Sequence, residues 1–193
     1  MKLGEPHSRR TKPTYVLNAT PIIHFSKIGM LDLILEICDA FITEEVYREA
    51  VVRGEGFPDS AIIREAVEKG KLKVYHVRTE GMINKLLRHG EIHRGEAETI
   101  VAAKELGGTA IIDDAEARTV AKAYNVKAAP GCIFLIFRLL KLGRIKADEA
   151  EDVIEKLVKS GLYLDPETLL NAYRKIRAYA ISEGRGKPND PNG

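Results

Sequence analysis

The sequence predicts an α/β fold with a mainly parallel central sheet, helices on both faces of the sheet and a helical carboxyl-terminal portion. Strand-like and helix-like segments alternate from about residue 15 to residue 128, which is the pattern of parallel strands joined by helical crossovers. Residues 110–112 are continuously apolar, as expected of a strand buried on both faces. Three helical patterns then follow one another to about residue 180.

The first elements are defined by local chemistry. A short strand at 15–17 ends at Asn18, and Thr20 with Pro21 predicts an N-cap and a first-turn proline for a helix that continues to about residue 37.

The later elements follow from hydrophobic spacing and turn residues. Thr43 is expected to cap a helix, and Asp59 is expected to cap the next one. The predicted strands are 40–43, 72–77, 109–112 and 126–128, and the predicted helices are 44–53, 61–69, 82–88, 95–106, 115–124, 133–142, 148–159 and 166–180.

The composition is that of one globular domain. The chain has 193 residues, of which 45% are hydrophobic and 30% charged, and its net charge of +2 gives only a weak overall field. We predict a basic extension at 1–13, a single domain at 14–181 that includes the carboxyl-terminal helices, and a disordered Gly/Pro/Asn-rich tail at 182–193.

Several functional classes are excluded by what the sequence lacks. There is no phosphate-binding loop of the Walker type, no dinucleotide-binding glycine motif and no serine nucleophile elbow. Cys38 and Cys132 lie in apolar contexts without a C-x-x-C pair, which predicts reduced core residues of a cytoplasmic protein. No apolar run has the length of a membrane span.

Carboxylates are the most informative feature. Glu96 and Glu98 open a predicted helix, and Asp113 and Asp114 directly follow the buried strand. In a parallel sheet these positions converge at the carboxyl ends of the strands, where ligands bind. Because oxygen-rich acidic sites suit Mg²⁺ or Mn²⁺, the residues favour a metal-dependent nuclease.

Four segments carry a resemblance to a known family. They are residues 18–31 (Asn-Ala-Thr-Pro-Ile-Ile-His-Phe-Ser-Lys-Ile-Gly-Met-Leu), 42–49 (Ile-Thr-Glu-Glu-Val-Tyr-Arg-Glu), 94–100 (Arg-Gly-Glu-Ala-Glu-Thr-Ile) and 111–118 (Ile-Ile-Asp-Asp-Ala-Glu-Ala-Arg). Over about residues 15–164 the chain resembles PIN-domain proteins of the archaeal and bacterial nucleic-acid-binding branch.

The resemblance implies a three-layer α/β/α fold and Mg²⁺- or Mn²⁺-dependent cleavage of single-stranded RNA. It also implies a toxin-like role opposed by a small antitoxin protein, and a homodimer. The implied metal ligands are Glu49, Glu96, Asp113 and Asp114, and the implied catalytic residues are Glu96, Asp114, Glu49 and Asn18. Asn18 stands where the family has an acidic residue, so we expect weakened metal binding and activity.

Spacing leaves alternatives at these carboxylates. Glu96 and Glu98 differ by about 200° around a helix, which predicts Glu96 as the ligand and Glu98 as surface. Asp113 with Glu116 fits a capping box, which would leave Asp114 as the freer carboxylate. Glu49 is either a ligand or an ordinary exposed helix residue.

Candidate nucleic-acid contacts are Thr20, Arg94 and Arg118. Thr20 is equally the predicted N-cap, and Arg118 is equally a solvated residue. His89 and His93 are spaced to share a metal, but a solvated His/Arg surface is the favoured interpretation. Arg88, His89, His93 and Arg94 are equally a basic rim that guides phosphate to the acidic site or an ordinary solvated loop. The alternative function is a PIN fold that has lost catalysis and serves as a nucleic-acid-binding or protein-interaction module.

Overall fold

The computed structural model of the protein describes residues 12–185. Its elements are β1 (Thr14–Leu17), α1 (Ala19–Lys27), α2 (Leu31–Ile37), β2 (Asp39–Thr43), α3 (Glu44–Tyr47), a π-helical turn (Arg48–Val52), α4 (Pro58–Glu68), β3 (Leu72–Tyr75), α5 (Glu80–His89), α6 (Arg94–Leu106), β4 (Thr109–Ile112), α7 (Ala115–Ala123), β5 (Ala128–Pro130), α8 (Gly131–Lys141), α9 (Ala147–Lys159) and α10 (Pro166–Arg185).

The strands form one parallel sheet in the order β3-β2-β1-β4-β5. The chain starts at the centre with β1, builds outward to β3 and then returns to place β4 on the other side of β1. In register, Val16 lies between Phe41 of β2 and Ala110 of β4. The strand order therefore reverses beside β1, and the crevice outside the carboxyl ends of strands at such a switch point is the usual ligand site of open α/β sheets.

Two hydrophobic cores cover the two faces of the sheet. Tyr15 and Leu17 of β1 point into the core formed with α1, α2, α4, α8, α9 and α10. Val16, which alternates with them, points into the opposite core formed with α5, α6 and α7. This arrangement is the three-layer α/β/α fold that the resemblance implies.

The first helix differs from the prediction in its start and its continuity. Asn18 is its N-cap, because the Asn18 side-chain oxygen accepts the Ala19 N–H at 2.8 Å, so the prediction of Thr20 as the cap is wrong. The predicted helix to residue 37 is two helices. Gly29, with φ of 71°, adopts the left-handed conformation that ends α1.

Two further boundaries depend on tertiary contacts. Val126 still donates its N–H to Ala121 O at 2.9 Å, which closes the end of α7, and β5 therefore begins two residues later than predicted. The helix predicted to start at residue 61 begins at Pro58, so Asp59 lies in its first turn and is not its cap.

The carboxyl-terminal helix α10 continues to Arg185 and thus enters the segment predicted to be disordered. The rest of that predicted tail and most of the predicted basic extension lie outside the described residues. Within residues 12–185, no helix combines the length and apolar character needed to cross a membrane.

Candidate active site

A pocket of about 500 Å³ opens at the carboxyl end of β1, at the switch point of the sheet. Five predicted site residues line it together: Asn18, Thr20, Glu49, Arg94 and Glu96. The remaining lining residues are Ala19, Glu45, Arg53 and His93.

Asn18 lies at the end of β1, where the pocket meets the sheet. Its backbone N–H donates to Ile111 O of β4 at 3.0 Å, and its side chain is only 7% exposed. The side-chain oxygen already accepts the Ala19 N–H, so the amide serves as a helix cap at the position where an acidic residue was expected. Asn18 therefore adds a polar oxygen to the pocket but no charge.

Glu49 is brought to the pocket by the π-helical turn. Its carboxylate faces the start of α6, where a Cβ built on Gly95 would lie 2.8 Å from Glu49 Oε1. Burial raises the pKa of Glu49, and the charges of Glu45 and Glu96 raise it further, against the opposing effect of Arg53. Only 27% of the Glu49 side chain is exposed. Glu49 is therefore not the ordinary exposed helix residue of the alternative interpretation.

Glu96 lies in the first turn of α6. Its Oε2 accepts the backbone N–H of His93, the N-cap residue of α6, at 2.8 Å. Burial raises the pKa of Glu96, and the nearby charges of Asp114 and Glu116 raise it further, whereas the His93 hydrogen bond opposes the shift. Glu49 and Glu96 are therefore two half-buried carboxylates whose ionised forms are disfavoured by their surroundings.

A buried ionic network supports the pocket. Glu45, 5% exposed, accepts from Arg48 at 2.6 Å and from Arg53 at 2.7 Å. Glu98, 6% exposed, accepts from Arg94 Nε at 2.9 Å and from the Glu45 backbone N–H at 3.2 Å. These paired carboxylates hold the two arginines that flank the pocket.

The prediction that Glu98 is ordinary surface is wrong, and Glu45 was missed. The angular argument assumed that α6 buries one face, but α6 is buried on several sides from Gly95 to Ala103. The sequence did contain a signal for both residues. Arg94 stands four residues before Glu98 and Arg48 three residues after Glu45, and both spacings place side chains side by side on a helix.

The two aspartates after β4 take different roles. Asp113 turns away from the pocket, and its carboxylate accepts the Cys132 backbone N–H at 2.9 Å and contacts the Cys132 thiol at 3.3 Å. The predicted Asp113–Glu116 capping box is wrong, because Asp114 is the cap and accepts the Ala117 N–H at 2.7 Å. Asp114 is exposed and is not among the residues that line the pocket, but its charge acts on Glu96.

Arg118, a predicted nucleic-acid contact, lies outside the pocket. Its Nη1 donates to the backbone oxygens of Ile112 at 3.0 Å and Asp113 at 2.6 Å, at the end of β4. The guanidinium is thereby fixed at the same edge of the sheet.

The described part of the chain contains no group of three or more histidine, cysteine, aspartate or glutamate side chains close enough to hold a metal ion. His89 ends α5, and His93 follows after a break at Gly90, so the two do not share one helix. A metal at the pocket would accordingly have two near carboxylates, Glu49 and Glu96, and the oxygen of Asn18.

An acidic pocket at the switch point of a parallel α/β/α sheet is the arrangement of a ligand-binding α/β protein. The family model DUF3368, described as a PIN domain, matches residues 14–178, and the chain belongs to this PIN-domain family. PIN domains generally use divalent metal ions. No curated protein matches the chain.

Proposed function

We propose that the protein is a Mg²⁺- or Mn²⁺-dependent endoribonuclease of PIN type, weakened by Asn18 at the first acidic position. The observation that carries this proposal is the pair Glu49 and Glu96. Both are half-buried in one pocket, and both have a raised pKa. Adjacent carboxylates with raised pKa values are typical of sites where a cation or a proton relay operates.

The donor set fits one hard divalent cation. Mg²⁺ usually keeps several waters and binds through one or two carboxylates together with substrate phosphates, so a third protein carboxylate is not required. Glu49 and Glu96 would hold the ion, with the Asn18 oxygen in the same pocket and Asp114 contributing charge from outside the pocket lining. Asp113 is the weakest ligand candidate, because its carboxylate is engaged at α8. A bound ion would supply a more acidic water and stabilise charge on the phosphate.

The protein's own residues supply the remaining functions. The raised pKa of Glu49 suits it to accept a proton from the attacking water. Arg94 is fixed by Glu98 and by Glu80 at 3.0 Å, and Arg53 is fixed by Glu45, so both guanidinium groups stand ready beside the pocket for an anionic substrate. Thr20 lines the same pocket and offers a hydroxyl to a phosphate oxygen.

The family membership and the pocket lead us to propose partners as well. Single-stranded RNA is the proposed substrate, because its phosphates reach a shallow pocket without strand separation. A small antitoxin that closes the pocket, a homodimer and a cytoplasmic location complete the proposal.

The test is Mn²⁺-dependent cleavage of a mixed single-stranded RNA pool by the wild type, Glu96→Gln and Asn18→Asp. We expect weak cleavage by the wild type, loss in Glu96→Gln and a gain of tenfold or more in Asn18→Asp, since a charged ligand strengthens the site (about 1.4 kcal/mol per factor of ten). Glu68→Gln, an exposed glutamate on α4, is the matched control. Equal cleavage by the wild type and Glu96→Gln would contradict the proposal.

A lapsed nuclease that binds nucleic acid or protein is the second candidate. It is favoured by Asn18, whose oxygen is already used as a helix cap, and by the lack of a three-ligand group in residues 12–185. If the wild type does not cleave RNA but Asn18→Asp does, the site has lost catalysis and kept its geometry. If neither the wild type nor any variant cleaves RNA, the result would favour the binding module.

A further inference from the structure

A second concave surface lies on the β5 side of the molecule. Two cavities of about 570 and 630 Å³ share Arg118 and Pro130 and together form one groove, which we call the β5 groove. Its walls are α7 and β5 at one end and α8 and α10 at the other.

The charged side chains that the structure shows in the β5 groove are all basic. Among residues 12–185, no acidic side chain lines either cavity, although the whole chain has nearly equal numbers of acidic and basic residues, 28 and 30. Within residues 12–185, none of its four lysines forms an ion pair. The basic residues are Arg118, Lys122, Lys127, Lys141 and Lys175. Such a field attracts a polyanion.

Aromatic side chains line the same groove. Phe134, Phe137 and Tyr179 are half-buried, so each offers part of a ring to the cavity. The Phe134 ring is held edge-on against Tyr15 with 5.5 Å between centroids. A positive groove with aromatic faces is the combination that binds single-stranded nucleic acids, because phosphates follow the cations while bases stack on the rings.

The β5 groove and the candidate active site are both close to the carboxyl end of β4. Arg118, which lines both cavities, is anchored to the carbonyls of Ile112 and Asp113 at the carboxyl end of β4. Asp114, the next residue, caps α7 and acts electrostatically on Glu96 in the pocket. The groove and the pocket therefore both lie near the carboxyl end of β4, although within the described part of the chain they share no lining residue.

We propose that the β5 groove binds the single-stranded RNA that flanks the phosphate in the active site. An acidic peptide suits the groove less well, because a peptide backbone needs many hydrogen-bond partners. The neutral polar side chains lining the groove are Thr119, Thr168 and Asn171, and β5 is only three residues long and ends in Pro130. The identity of the ligand as RNA rests on the proposed function, whereas binding is measured without any catalysis.

The experiment measures binding of a fluorescent 15-nucleotide oligouridylate in EDTA at several salt concentrations. The groove variant combines Lys122→Ala, Lys127→Ala and Lys175→Ala. The control variant combines Lys27→Ala, Lys85→Ala and Lys156→Ala, which removes the same charge from exposed positions elsewhere. Each phosphate contact contributes about 0.7 to the salt slope of single-strand binding. We therefore expect the groove variant to lose a slope of about 2 and to bind about 100-fold more weakly at 0.1 M salt.

Tyr179→Leu tests stacking, because leucine keeps apolar contact but removes the ring; we expect about tenfold weaker binding. Circular dichroism checks that each variant is folded. Unchanged RNA binding in the groove variant, equal losses in the control variant, or binding of a polyglutamate peptide in place of RNA would each overturn the assignment.

The design separates this inference from the nuclease proposal. If the groove variant binds RNA normally and the wild type cleaves RNA, the groove proposal is wrong and the nuclease proposal stands. If RNA binding depends on the groove but the wild type does not cleave RNA, the groove proposal stands and the nuclease proposal is wrong.

Discussion

At the scale of single residues, Glu49 and Glu96 suit the proposed function but destabilise the fold at neutral pH. Burial and neighbouring charge raise both pKa values in the folded state. Their contribution to stability is therefore fully present below the unfolded value near 4.5 and is lost as the pH rises through the raised folded values. At neutral pH the two ionised groups weaken the fold that holds them.

We accordingly predict that Glu49→Gln and Glu96→Gln each raise the melting temperature at pH 7, and that the gain disappears below about pH 4. Mn²⁺ should raise the melting temperature of the wild type but not that of the double variant, because a cation relieves the same repulsion. Calorimetry across pH, with Glu68→Gln as the control, checks this. A lower melting temperature in both variants at pH 7 would contradict it.

Gly95 offers a second prediction at this scale. A Cβ at Gly95 would meet Glu49 Oε1 at 2.8 Å, whereas one at Gly81 in α5 would meet no atom of residues 12–185 within 4 Å. We expect Gly81→Ala to stabilise the protein by up to about 1 kcal/mol. Gly95→Ala should destabilise it by about 1–3 kcal/mol through overpacking.

Adding Glu49→Ala to Gly95→Ala should abolish that cost, because the clashing carboxylate is gone. Denaturant unfolding of the four combinations of these two substitutions measures the coupling. Independent, additive effects of the two substitutions would show that the close approach has no energetic importance.

The sequence was most informative where a residue's position along the chain determined its place in space. Asn18 ends a strand, and Glu96 opens a helix beside the same edge, so their meeting in one pocket follows from the parallel sheet alone. The spacings of Arg94 to Glu98 and of Glu45 to Arg48 indicate ion pairs, but the burial of the two carboxylates did not follow, because it depends on α6 being enclosed on several sides. Such enclosure is a property of the whole fold and leaves no periodic pattern.

At the scale of elements, Asp113 connects β4 to α8. Its carboxylate accepts the Cys132 N–H in the first turn of α8, where helix N–H groups lack partners. A Cβ on Gly131 would lie 2.1 Å from Asp113 Cγ, so the contact leaves no space between the two elements. Asp113 is therefore expected to act mainly on stability.

We predict that Asp113→Ala lowers the free energy of unfolding by about 1–3 kcal/mol, the cost of an unpaired buried N–H group. Asp113→Asn, which keeps an acceptor, should cost less, and neither variant should change Mn²⁺ affinity. Titration calorimetry with Mn²⁺ and urea unfolding provide the two readouts. Loss of Mn²⁺ binding in Asp113→Asn without loss of stability would identify Asp113 as a ligand.

Element types were predicted correctly, while several ends were displaced for identifiable reasons. Gly29 breaks the first helix by a left-handed turn, and the N–H of Val126 stays with α7. In both cases the local sequence is compatible with continuation of the neighbouring element. The choice is made by hydrogen bonds that the sequence pattern does not display.

At the scale of the whole molecule, the reactivity of the two cysteine thiols measures how often the protein unfolds. Cys38 and Cys132 are 3% and 0% exposed. Burial raises the pKa of Cys38 to about 12, and burial together with Asp113 raises the pKa of Cys132. Because the thiolate is the reactive form, both should resist labelling in the native state.

We predict that a thiol reagent at pH 8 labels both cysteines at one common rate, equal to the rate of unfolding measured by circular dichroism. Protein unfolded in guanidinium should be labelled within the mixing time and serves as the control. Rapid labelling of one cysteine in the native protein would reveal local opening of its side of the core.

The fold class was predictable because apolar strands and amphipathic helices alternate, but the strand order was not. The order β3-β2-β1-β4-β5 requires β4 to return across the molecule and pair with β1. That return buries Val16 and Ile112 in one core and Leu17 and Ile111 in the other. Many strand orders bury the same residues equally well, so hydrophobicity alone does not select this one.

The π-helical turn at Arg48–Val52 has a consequence for the gene. Its Arg53 N–H reaches back five residues to Arg48 O at 2.8 Å, so this turn holds one residue more than an α-helical turn. It corresponds to the insertion of a single codon into an ordinary helix. Removing that codon would rotate everything after it by about 100° and separate Arg53 from Glu45. A related gene that lacks this codon must therefore be aligned with a one-residue gap here, because an ungapped alignment would compare the wrong acidic positions.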